Sequence, residues 1–159
     1  MTIKCFMIEP ILGDPIRRYE KSAEYKPARK YEEWPPSRMH VGWRRPDTGE
    51  EHHHTHEFGV GAMWFATWYP KNMTWDNEKE PHLIVCCPNG SDTRDWDIDS
   101  RCSNCGSPED RLHRCWIRHG VPPVITVDKA GPSCNAGAGS IALPHWHGFL
   151  TQGVLSETK

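Results

Sequence analysis

The sequence predicts a mostly β protein, α+β at most: a compact domain of short strands stapled by a zinc site, preceded by an irregular basic N-terminal arm. Three observations carry that expectation. Thirteen Gly and 14 Pro in 159 residues interrupt the chain at about one position in six. That is more than a helical bundle tolerates, because Pro removes a backbone donor and Gly loses the most backbone freedom on folding. Short β-branched and aromatic runs recur between these interruptions, which is the pattern of strands joined by turns. Finally, seven Cys and ten His supply soft metal ligands to a chain that is only 36% hydrophobic.

The elements follow in order. Pro15 suits the first position of a short helix running to about Tyr25. Pro27, Pro35 and Pro36 then impose extended or turn structure. Between Pro15 and Arg45 nine Lys and Arg face four Glu, a net charge of +5, which leaves −7 for the remainder of a chain whose total is −2. Residues 1–57 are expected to form an arm or flank, and residues 58–159 the β-rich domain. Within that domain GVGAMWFATWYP (59–70) reads as a buried strand between Gly and Pro. HLIVCCP (82–88) is β-branched and stops at Pro88-Asn89-Gly90, a strong turn signal. DTRDWDID (92–99) places Trp96 and Ile98 on one face, completing a hairpin. LHRCWIRHG (112–120), VITVD (124–128) and HGFLTQGVL (147–155) are the remaining strand candidates.

Length and composition exclude several classes. A chain of 159 residues makes one domain, large enough to bury roughly 68–70% of its unfolded surface. No apolar run reaches the ~18 residues of a membrane span. The opening MTIKCFMIEPILGDP lacks a basic segment followed by a full apolar one, so no secretion signal is expected and the expected location is cytoplasmic. In that reducing setting seven Cys point to free or metal-bound thiols and not to a disulfide framework. Eight Trp and a near-neutral charge argue against disorder of the whole chain.

The densest chemistry lies in Cys102-Ser103-Asn104-Cys105-Gly106 and His113-Arg114-Cys115. A Cys-x-x-Cys turn brings two thiolates onto one cation, and residues two apart on a strand project from the same face. Cys102, Cys105, His113 and Cys115 together form a Cys₃His set, which suits closed tetrahedral Zn²⁺. The alternative is that Cys105 and Cys115 are small core residues. A redox Cys-x-x-Cys is disfavoured because Gly106 and Pro108 oppose the helix it normally opens.

Two further His groups stand out. His145 and His147 flank Trp146, and His52, His54 and His56 would share a face if extended, with Glu57 beside them. His145, His147 and a His from that run, with Glu57 or an Asp as base, would make an open zinc site for hydrolysis. Solvated or hydrogen-bonded rim histidines are the plainer explanation. Several signatures fail: His56-Glu57 does not continue to HExxH, no HxE pairs with PCxxC, and GAGSI (137–141) is neither GxSxG, GxGxxG nor a phosphate loop.

GAMWFATWYP (61–70), DIDSRCSNC (97–105), HRCWIRHG (113–120), VDKAGPSCNAGAGSI (127–141) and HWHGFLTQGVL (145–155) together resemble a group of small proteins encoded by tailed bacteriophages, especially those of actinobacteria. The resemblance spans about 61–155 and brings no activity with it. It implies Cys105, His113 and Cys115 as the firmer ligands, with Cys134 or His119 able to stand in for Cys102. The function then expected is a non-enzymatic accessory or counter-defence module that binds a host or viral protein, with no membrane partner. Binding of single-stranded nucleic acid through residues 15–45 is the second expectation, since cations interleaved with Tyr and Trp can track phosphates and stack on bases. The zinc hydrolase is the third.

Overall fold

The computed structural model describes residues 1–12, 40–66, 82–100, 105–106, 109, 115–129 and 139–158. These are mostly β. The strands are β1 (Thr2–Lys4), β2 (Phe6–Met7), β3 (Glu9–Leu12), β4 (His40–Arg44), β5 (Glu51–His52), β6 (Ala62–Phe65), β7 (Leu83–Asn89), β8 (Asp92–Asp97), β9 (Ile117–Val121), β10 (Val124–Asp128), β11 (Ile141–Leu143), β12 (Trp146–Thr151) and β13 (Val154–Glu157), with one 3₁₀ turn at Thr55–Phe58. They form sheets β1-β13-β12-β11, β2-β6-β7-β8 and β3-β4-β5, and the two-stranded β9–β10 hairpin.

β7 organises the interior. Its residues from Leu83 to Pro88 are all buried, as expected of a strand covered on both faces. Alternate side chains point to opposite faces. Leu83, Val85 and Cys87 join Met63, Trp96, Ile98, Ile125, Leu150 and Leu155 in one core. Ile84 and Cys86 join Ile8, Trp43, Ala62, Trp64 and Ala66 in a second. The predicted β7–β8 hairpin is present, in register Val85↔Trp96 and Asn89↔Asp92. Gly90 takes φ +72° in its turn, a conformation that costs Gly no Cβ clash. Trp96 and Ile98 are both buried on the predicted face.

Three expectations change. Residues 1–57 are not a flank where they are described: β1 pairs antiparallel with β13, β2 pairs parallel with β6, and Cys5, Ile8 and Trp43 are buried. The first strands are too short for their apolar alternation to stand out, and their partners lie far along the chain. HGFLTQGVL is not one strand but two, β12 and β13, because Gln152 (φ +46°) and Gly153 (φ +76°) turn the chain back. In the described part of the 112–120 candidate the strand begins at Ile117, after a bend at 115–116. The helix predicted from Pro15 to Tyr25 lies outside the described residues. No helix among the described residues is long and apolar enough to cross a membrane.

Candidate functional site

Where β7, β8 and β9 meet, four charged side chains interlock. Asp99 follows β8; its Oδ2 accepts the Leu83 N–H at 2.9 Å, and its Oδ1 lies 3.0 Å from Arg118 Nε. Asp97 Oδ1 accepts the Asp99 N–H at 2.9 Å. Asp97 Oδ2 lies 2.8 Å from Nδ1 of His82, which is only 6% exposed. The Arg118 guanidinium also sits over the Phe65 ring, 5.9 Å from its centroid. The hydrogen bond to Asp97 raises the His82 pKa against the opposing pull of burial. Burial raises that of Asp99, with Arg118 as the main opposing influence. Nε2 of His82 is buried and has no hydrogen-bond partner among the described residues. Sequence reasoning missed this network. Its only linear trace is the Asp-x-Asp at 97–99, and the strand register decides what those carboxylates meet.

The network brackets the Cys/His segment. Asp99 precedes Cys102 by three residues and Arg118 follows Cys115 by three, so one ion pair joins two residues that flank that segment in sequence. Cys115 is fully buried, and Cys105 is partly buried. The neighbouring Trp116 packs edge-on against Trp96, ring centroids 5.3 Å apart, and donates Nε1–H to the Ser140 carbonyl at 3.3 Å. Cys102, His113 and Cys134 lie outside the described residues. His119, the other substitute ligand, is exposed on β9, its Nε2 3.0 Å from Asp128 Oδ1. Among the described residues no three His, Cys, Asp or Glu side chains gather so that they could hold a metal ion.

Glu57, His145 and His147, all described, therefore do not gather into the expected open site with its base. Glu57 closes the 3₁₀ turn: its Oε1 accepts the His54 N–H at 3.2 Å, and its Oε2 lies 3.5 Å from His52 Nδ1. His145 sits in the turn before β12, its backbone N–H bonded to Asn89 Oδ1 at 2.9 Å. His147 has a hydroxyl at each ring nitrogen, Ser140 Oγ 2.8 Å from Nε2 and Thr158 Oγ1 3.2 Å from Nδ1. The His run does not present one extended face, because the chain turns after His52. His54 and His56 stack instead, with centroids 5.5 Å apart, and His52 packs edge-on against Phe58. His52 Nε2 lies 3.4 Å from Glu50 Oε1 but outside hydrogen-bond geometry.

Of the cationic stretch 15–45, only residues from His40 onward are described. There Arg44 pairs with Glu51 at 2.9 Å, Arg45 pairs with Asp47 at 2.6 Å, and Trp43 is buried against Trp64. These three side chains are occupied by the fold itself. The most exposed apolar feature among the described residues is the tip of the β9–β10 hairpin. Val121 and Val124 are cross-strand neighbours there, 77% and 58% exposed, joined through Pro122-Pro123. No family model, curated protein or solved structure matches this chain.

Proposed function

We propose that this chain is a zinc-stapled interaction module, of the kind its phage-protein resemblance suggests, that binds a host or viral protein in the host cytoplasm. The staple is Cys102, Cys105, His113 and Cys115. The observation that carries the reading is the Asp99–Arg118 pair at the base of the segment. Holding both ends of a loop removes much of the closure entropy that a metal would otherwise have to overcome. Binding energy at such a site is folding energy, which suits a fold of many short strands. The contact surface is the β9–β10 tip, where Val121 and Val124 present adjacent apolar side chains to solvent.

Elemental analysis of untagged protein tests the staple. One equivalent of zinc, lost in Cys105→Ser and Cys115→Ser, is expected, with a marked fall in melting temperature on chelation. Metal-free protein that melts identically with and without chelator overturns the reading. For the contact surface, Val121→Glu with Val124→Glu should leave the melt unchanged and abolish partner capture. Capture that survives the double substitution moves the interface elsewhere.

A further inference from the structure

Ser140 immediately precedes β11, and His147 lies on β12, the strand paired with it. Ser140 Oγ is 2.8 Å from His147 Nε2, and Thr158 Oγ1 is 3.2 Å from His147 Nδ1. Thr158 is itself held to the same residue: its backbone N–H donates to the His147 carbonyl at 3.0 Å, and its hydroxyl donates to that carbonyl at 3.2 Å. A hydroxyl has one proton. With that proton on the carbonyl, Thr158 Oγ1 is an acceptor for Nδ1–H. The Nε2 lone pair then faces Ser140, whose O–H donates to it. This tautomer is the one in which an imidazole can take a proton from a serine, with the third group holding the ring as in nucleophile, base and orienter sets on unrelated folds.

We propose that Ser140 is a nucleophile, His147 its general base and Thr158 a positioning residue, together transferring an acyl group from a small, unhindered ester to water. His147 is exposed and Ser140 partly so, which leaves both open to a substrate arriving from solvent. In the first half Ser140 Oγ attacks the ester carbonyl carbon while its proton passes to Nε2. The tetrahedral adduct expels the alcohol oxygen, which takes that proton, leaving acyl-Ser140. In the second half water attacks the acyl carbon and gives its proton to Nε2. Ser140 Oγ departs and recovers that proton, and the carboxylic acid is released. Ester and water become acid and alcohol, with no other reactant. The reaction uses no residue of the 102–115 segment and is independent of the zinc staple.

The test uses the full chain with a fluorophosphonate probe, the adduct mapped by mass spectrometry, and with 4-nitrophenyl acetate as substrate. An adduct on Ser140, absent in Ser140→Ala, is expected. His147→Gln, which can still hydrogen-bond but cannot act as base, should slow acylation about 100-fold or more. Thr158→Val should lower kcat with KM unchanged, because Nδ1–H loses the acceptor that holds the ring with its Nε2 lone pair towards Ser140, and Thr158→Ser should restore it. Melting curves verify that each variant is folded. Wild-type protein without a Ser140 adduct, or with one forming equally fast in folded His147→Gln, overturns the proposal. An unchanged kcat in Thr158→Val removes Thr158 from it.

Discussion

His82 shows how one buried side chain couples this fold to pH. Its pairing with Asp97 raises its pKa, so the folded chain holds a proton at pH values where the unfolded chain has released it. Stability from the pair is complete below the ordinary imidazole value of about 6.5 and is lost as pH rises through the raised folded value. The melting temperature is therefore expected to fall as the pH rises above about 6.5. His82→Gln, which keeps a donor towards Asp97, should flatten that slope in thermal melts; an unchanged slope assigns it to other groups. Asp99 has the same sign in a more acidic window, because burial raises its pKa as well. Cys5 is a different case. Burial outweighs its backbone hydrogen bond and pushes its thiol pKa up to about 12, and burial raises that of Cys87 too. The thiolate is the reactive form, so both should resist alkylation in folded protein and react once it is unfolded, as peptide mapping will show. Gly148 is fixed by close approach: a Cβ there would run into the Ser156 carbonyl and the Trp146 ring. Gly148→Ala should cost about 1–3 kcal/mol or more in chemical denaturation.

At the scale of elements, the informative junction is the one joining β7, β8 and β9. Arg118 reaches from β9 to Asp99, and Asp99 in turn accepts from the first residue of β7. Arg118→Met leaves a buried carboxylate without its charge partner, which should cost about 3–5 kcal/mol. The double variant with Asp99→Asn should cost less than the two single changes summed, since neither partner is then left as an unpaired charge. A double-mutant cycle in urea checks this; strict additivity would mean that the pair does not couple these strands. β7 itself was legible from HLIVCCP, because six consecutive apolar or small residues bounded by a turn describe a strand buried on both faces. β1 to β5 were not, since they are short and their neighbours are supplied from far along the chain.

For the whole molecule, the chain's two ends meet in one sheet, with Thr2 opposite Ser156 and Lys4 opposite Val154. Removing residues 1–4 should therefore expose the β13 edge and lower the melting temperature of the entire domain, with added aggregation from the unpaired edge. An N-terminal flank would be removable without either effect. The exposed β9–β10 tip lies at one end of β9 and the proposed zinc staple precedes the other in sequence, so on that proposal chelation is expected to weaken the proposed partner binding as well as stability. Binding that persists in chelated, still-folded protein would separate the two.

Local residue chemistry determined the β-rich class, the β7–β8 hairpin with its turn at Gly90, and the candidate ligands at 102–115, because periodicity, turn residues and ligand spacing are all short-range properties. Tertiary structure alone decided that the first strands belong to the core, that His147 meets Ser140 and Thr158, and that His82, Asp97, Asp99 and Arg118 form one network. Ser140 and His147 are 7 positions apart, Asp99 and Arg118 are 19, and Thr2 and Ser156 are 154, and such distances along the chain are closed only by strand pairing and register, which no local pattern encodes.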